Sequence, residues 1–214
     1  MEYVFQALVV DDESQMNSYF DVIKMELKDA GIDINFDIAR DEKAYQEFIN
    51  SKNYDLLLFD FNLTRGYSVD KPHGNEFIKE FRKDNRISKI IFYSSSFIYL
   101  DAKKKYSIGL PEKEIYDLIN DFQVDKIVSR ENISMMKKAI KDCCEELDIL
   151  PVMLTKMLLQ YKKAGITTMY IDSNGEEIDA NELISEIMKD KNEGRLFKER
   201  FTKAILNTVF SFKY

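Results

Sequence analysis

Asp60 ends the run Tyr54-Asp55-Leu56-Leu57-Leu58-Phe59, and it is followed by Phe61-Asn62-Leu63. A short unbroken apolar run closing on a carboxylate suits a strand buried on both faces of a parallel sheet. Its end then falls at the carboxyl edge, where open α/β folds place their ligands. Two other stretches have the same form. Ala7-Leu8-Val9-Val10 closes on Asp11-Asp12-Glu13, and Ile90-Ile91-Phe92-Tyr93 closes on Ser94-Ser95-Ser96. Two acidic strand ends and one hydroxyl strand end define one candidate site, provided the strands lie in register. Asp also ends strands because it favours turns and helix N-caps. That explanation covers any single end better than it covers three.

The elements that must position these ends can be read in order. Residues 4–10 form the first strand. A helix from Ser14 to about Ala30 follows, with Met16, Phe20, Ile23 and Leu27 as its apolar stripe and Gly31 as its stop. Ile34-Asn35-Phe36-Asp37-Ile38 alternates as a strand, and Asp41 caps a helix carrying Tyr45, Phe48 and Ile49. The central strand 55–60 leads into a polar loop from Thr64 to His73, which contains Gly66 and Pro72. A helix over Gly74 to Arg82, a strand over 89–93, a helix from about Glu112 to Phe122 and a strand over Val124 to Val128 complete the alternation. Between them, Lys103-Lys104-Lys105 and Pro111 interrupt a stretch, 97–121, whose pattern is ambiguous. Strand and helix in strict alternation predict a doubly wound parallel sheet.

From about Asn132 the pattern changes. Ile133 to Lys163 reads as helix with a break or kink at Pro151. Thr167 to Ile171 is strand-like, Asp172-Ser173-Asn174-Gly175 is a turn, and Ile178 marks a second short strand. Asp179 caps a helix through Lys189, and another runs from about Gly194 to Phe212. The chain thus divides into residues 1–131 and a small, mainly helical domain over 132–214 with a short β-hairpin.

Composition limits the chemistry. The 214 residues carry a net charge of −7, with basic residues scattered along the chain, which argues against a large nucleic-acid footprint. The single histidine, His73, excludes a histidine-based metal cluster and reads as a solvated loop residue. The adjacent Cys143 and Cys144 cannot form a normal bridge to each other, so a reduced, cytoplasmic protein is expected. Glu2, Gln6, Asp11 and Asp12 interrupt the amino-terminal apolar run, so no signal peptide is predicted. Met135, Met136, Met153 and Met157 read as helix core or helix–helix contact.

With these residues in view, roughly residues 1–131 resemble a response-regulator receiver domain, the flavodoxin-like switch of two-component signalling. Val9-Val10-Asp11-Asp12-Glu13 matches the family's acidic pair, and Leu58-Phe59-Asp60-Phe61-Asn62-Leu63 matches its phosphoacceptor segment. Ser94, followed by the small Ser95, matches the hydroxyl position, and Gly74-Asn75-Glu76-Phe77-Ile78 resembles the start of its third helix. The resemblance implies that Asp60 accepts a phosphoryl group from a phosphorylated histidine on a kinase or phosphotransfer protein. A carboxylate nucleophile needs no activating base, but its charge repels the incoming phosphoryl oxygens. A Mg²⁺ ion bridges the two. Asp12 and Asp60 are then the direct carboxylate ligands, with Asp11 acting through water and Asn62 through its main-chain oxygen. Ser94 binds a phosphoryl oxygen.

Several positions depart from the family. Arg130 in Val128-Ser129-Arg130-Glu131 stands where the family has lysine, and its planar fork is not equivalent to an ammonium. A phosphate contact and a surface ion pair are both open to it. Ile127 occupies the aromatic switch position, Thr64 replaces a proline, and the loops after Asp60 and Ser94 are longer than usual. The resulting expectation is a phosphorylation-controlled switch that signals through a protein partner, with no enzymatic activity beyond self-phosphorylation and self-dephosphorylation at Asp60. A change around Ser94 and Ile127 biases the packing of the small domain. The helix from 133 is a candidate dimer or partner surface. One alternative is a phosphate-independent adaptor built on a degenerate receiver. Another is a nucleic-acid-binding regulator working through the basic segment Lys189 to Lys203, with Arg195, Lys198 and Arg200, although a solvated helix face explains that segment better.

Overall fold

The structure is a computed structural model that describes residues 3–67, 73–95, 97–100, 105–107, 110–167 and 169–210. Pro72, Ser96, Lys103, Lys104, Thr168 and Phe212, which belong to stretches singled out in the sequence, lie outside them. The chain divides into two compact units, Met1–Arg82 with Ser88–Leu147, and Lys83–Ile87 with Asp148–Tyr214. The change of pattern in the sequence places the division after residue 131 instead. The helix Ile133–Glu145 (α5) accounts for the difference, because it buries Met136, Ala139, Ile140, Cys143 and Cys144 in the same core cluster as Phe20 and Tyr93.

In the first unit β1 (Phe5–Val10), α1 (Met16–Asp29), β2 (Ile34–Ala39), α2 (Glu42–Ser51), β3 (Leu56–Asp60), α3 (Gly74–Asp84) and β4 (Lys89–Ser94) follow in order. After them come β5 (Ile98–Leu100), β6 (Lys105–Ser107), α4 (Glu112–Tyr116) and β7 (Lys126–Ser129). The sheet order is β2-β1-β3-β4-β7, and every pairing is parallel. This is the doubly wound five-stranded sheet that the alternation predicts. Period-two alternation along the strands divides the core. Ala7, Val9, Leu56, Leu58, Ile91 and Tyr93 face one way, onto α1 and α5. Leu8, Val10, Leu57, Phe59, Ile90 and Phe92 belong to the second cluster with Tyr45 and Phe77. A strand covered on both faces needs no polar alternation, which is why β3 reads as a solid apolar run.

The ambiguous stretch resolves into two features. β5 and β6 pair antiparallel, and α4 passes into a π-helical turn, Asp117–Asp121. Asp41 caps α2 as expected, accepting from the Ala44 amide at 2.7 Å.

The second unit holds α6 (Ile149–Lys163), the antiparallel pair β8 (Met169–Ile171) and β9 (Glu177–Asp179), α7 (Ala180–Met188) and α8 (Asn192–Val209). Its core joins Leu154, Leu158, Ile178, Leu183, Ile184 and Ile187. The helical break expected at Pro151 falls earlier, at 146–148, where Asp148 caps α6. Pro151 then sits in the first turn, where its missing N–H costs no helical bond. Met136 is buried, whereas Met135 and Met153 are exposed, so the methionines are not uniformly core.

Candidate functional site

Parallel register brings the three strand ends to one edge. Val10 pairs with Phe59, and Asp60 pairs with Tyr93, so Asp11, Asp60 and Ser94 emerge side by side. All three are buried, at 0, 3 and 0% exposure. Two glycines shape the loop that follows β3. Gly66 has a positive φ of 76°. At Gly74 an added Cβ would lie 2.1 Å from the Asp60 carbonyl oxygen, so only glycine allows α3 to start against the end of β3.

The oxygen atoms of the site differ in what they bind. Asp60 Oδ2 accepts from the Asn62 amide at 3.2 Å, whereas its Oδ1 is buried with no hydrogen-bond partner. Asp11 accepts the Glu13 amide at 2.8 Å and the Tyr93 hydroxyl at 2.7 Å. The side chain of Asn62 donates to Ser94 Oγ at 3.4 Å. Arg130 is almost buried, with its guanidinium 2.7 Å from Glu13 and 3.8 Å from Asp11. Of the two readings open to Arg130, the structure shows an ion pair, made by a side chain only 11% exposed. Burial, reinforced by the neighbouring Asp11 charge, pushes the Asp60 carboxyl up to about 8. Burial also raises Asp11, against the bonds it receives from Tyr93 and the Glu13 amide.

Asp12 stands apart from the other two acids. Its Oδ2 accepts from the Thr64 amide at 2.9 Å, the Thr64 hydroxyl at 3.1 Å and the Arg65 amide at 2.6 Å. Among the described residues, no group of three or more His, Cys, Asp or Glu side chains is gathered as a metal site. The donors nevertheless suit a hard cation. They are carboxylate oxygens, and one of them, Asp60 Oδ1, is buried and unpaired in a place that costs free energy unless something binds it.

Sequence reasoning missed Tyr93 and Glu13. Tyr93 reads as one more apolar residue of β4, and only alternation (Leu58, Asp60, Ile91 and Tyr93 on one face) could have aimed its hydroxyl at Asp11. His73 is not a solvated residue. Its ring stacks on Phe61 at 4.5 Å, and its Nδ1 is buried without a partner. Ile127 packs against the cluster that holds Phe92 and Phe97, on the far side of the sheet from Tyr93.

No sequence profile of a known family matches the chain, and no curated protein matches it. Solved structures do. A signal receiver domain of an HD domain-containing protein from Pseudomonas fluorescens superposes with a TM-score of 0.50 at 13% identity, covering 67% of this chain and 96% of that one. A CheY-like response regulator receiver domain protein from Methanospirillum hungatei gives 0.47 at 18% identity, over 67 and 96%. A response regulator protein from Thermotoga maritima, in complex with Mg(2+)-BeF, gives 0.43 at 23%, over 65 and 99%. The fold of the first unit is that of response-regulator receiver domains.

Proposed function

We propose that the first unit is a phosphoacceptor switch, with Asp60 as nucleophile. The observation that carries this reading is the buried, unpartnered Oδ1 of Asp60 at the carboxyl edge, flanked by Asp11 and Ser94. Oδ1 attacks the phosphorus of a phosphohistidine on a kinase or phosphotransfer protein. An O–P bond forms, the N–P bond breaks, and the leaving imidazole nitrogen keeps the electron pair and takes a proton. Self-phosphorylation and hydrolysis at Asp60 would be the only chemistry of the protein itself.

Asp60, Asp11 and Asp12, with the main-chain oxygen of Asn62, would hold Mg²⁺, which supplies charge neutralisation between carboxylate and phosphoryl oxygens. The residues of the chain do the rest. Ser94 offers a hydroxyl already oriented by Asn62, and Arg130 supplies a cation beside the acids. Tyr93 fixes Asp11. The output is contact with a protein partner, and a homodimer is one form it could take.

A phosphate-independent adaptor is favoured by one observation, the three donors already on Asp12 Oδ2. Nucleic-acid binding through the basic segment has less support. Lys189, Lys191, Arg195 and Lys198 are paired with Asp84, Glu186, Asp190 and Asp148 in the second unit. No helix among the described residues is long and apolar enough to cross a membrane.

The test is Mg²⁺-dependent uptake of one phosphoryl group from acetyl phosphate or from a phosphohistidine donor, read by intact mass. The reading requires a labile adduct on the native protein and none on Asp60→Asn. A native protein left unmodified by both donors would refute it. Partner capture that survives Asp60→Asn would favour the adaptor.

A further inference from the structure

The side chain of Arg130 is engaged by acids other than the one it would serve. Among the described residues its ion-pair partners are Glu13 and Asp11, and Asp60 has none. Its backbone is pinned on both sides: the amide donates to the Ser94 carbonyl at 3.0 Å, and the carbonyl accepts the Tyr19 hydroxyl of α1 at 2.9 Å. Any change at this position is therefore a swing of the side chain. Glu13, the residue that holds it, is a third exposed and takes a second bond from Gln15 Nε2 at 2.6 Å, directly before α1. Glu13 also lines a cleft of about 430 Å³ with Asp12, Gln15, Asn62 and Arg65. On the opposite face, Ile127 offers no polar atom with which to respond to Ser94.

We infer that Arg130 is a two-position residue: Glu13 holds it while Asp60 is free, and it transfers to the phosphoryl oxygens when Asp60 is loaded, so that the start of α1 reports the state of the site. The inference rests on Asp60 being the phosphoacceptor and adds where the signal leaves. Two acids and one incoming dianionic group compete for a single guanidinium. Arg is suited to such an exchange, because its planar fork binds carboxylate and phosphoryl oxygens with the same geometry. Glu13, relieved of Arg130, keeps only Gln15, and the first turn of α1 loosens.

The experiment uses the full chain with Mg²⁺ and beryllofluoride, a phosphoryl analogue. Its affinity would be measured for native protein, Glu13→Gln, Arg130→Gln and the double variant, with Glu13→Ala as a second test at that position. Backbone hydrogen exchange would be followed over residues 12–20. Removing a competitor of this partly exposed kind should tighten analogue binding by about two- to fivefold. The gain should vanish when Arg130 is already replaced, since the cycle isolates the pair. Loading should speed exchange at the start of α1 in native protein, and Glu13→Gln should show that faster exchange before loading. Equal affinities for native and Glu13→Gln, or the same gain in both backgrounds, would overturn the exchange while leaving Asp60 as acceptor. Absence of Asp60-dependent analogue binding in native protein would instead remove the acceptor reading, and this inference with it.

Discussion

Replacing Asp60 by Asn should stabilise the ion-free protein, and should do so more strongly as pH rises. Asp60 is 3% exposed, one of its oxygens has no partner, and its carboxyl titrates near 8 in the fold against 3.8 as an ordinary aspartate. Because the folded value is the higher one, the folded state holds the proton more tightly. The stability this contributes is fully present below about pH 3.8 and is lost as pH rises through about 8. Each tenfold difference in proton affinity between folded and unfolded chain is worth about 1.4 kcal/mol, so Asp60 costs the fold about 6 kcal/mol when fully ionised and about 5 kcal/mol at pH 8, where half of it is ionised. The Asn amide removes that charge but meets the same unpaired surroundings, at a cost of about 1–3 kcal/mol. A net gain of about 2–4 kcal/mol at pH 8 remains. From about pH 5 to pH 8 the advantage of Asn should grow by about 4 kcal/mol. Hydrogen exchange of the β3 amides with a chelator present reads the stability of this unit directly. Mg²⁺ at about a hundred times its dissociation constant should add about 2.7 kcal/mol to native protein and far less to the variant. An Asn variant no more stable than native at pH 8, or with an advantage independent of pH, would show that Asp60 is not a strained buried carboxylate.

Three further outcomes follow from the packing. Gly74→Ala should abolish beryllofluoride binding and destabilise the first unit by about 3 kcal/mol or more, because its methyl group meets the Asp60 carbonyl at 2.1 Å, and exchange of the β3 amides checks it. Arg82→Ala should cost about 3–5 kcal/mol in urea denaturation. The buried guanidinium donates to the carbonyls of Phe122, Gln123 and Ser88, and pairs with Asp125 at 3.6 Å. Cys143 and Cys144 should not react with a thiol reagent in native protein, and should react fully in denaturant, since burial holds both thiols up at about 12.

The strand ends and their acids were legible in the residues alone. A strand buried on both faces must be a solid apolar run, and Leu56–Phe59 announces both the sheet and its edge. The caps were legible too, because Asp41 and Asp179 satisfy free helical amides within three residues of themselves. Such interactions are local, and local chemistry is written in neighbouring positions. The place of α5 was not, since its amphipathic pattern serves equally well for a new domain or for the open face of a sheet already described. Nor was the break before α6, because proline in a first turn and proline in a helix interior are the same letter.

Within the site, the sequence by itself determined which groups arrive at the edge: Asp11, Asp12, Asp60, Asn62, Ser94 and Arg130. Only the tertiary structure decided how they are engaged. Asp12 is tied to Thr64 and Arg65, Asp11 is held by a hydroxyl that lies eighty-two residues further along, and Arg130 turns to Glu13. Asp60 Oδ1 is left without a partner. The physical reason is that hydrogen bonds and ion pairs act over a few ångströms, while the residues making them are brought that close only when β1, β3, β4 and β7 lie in register.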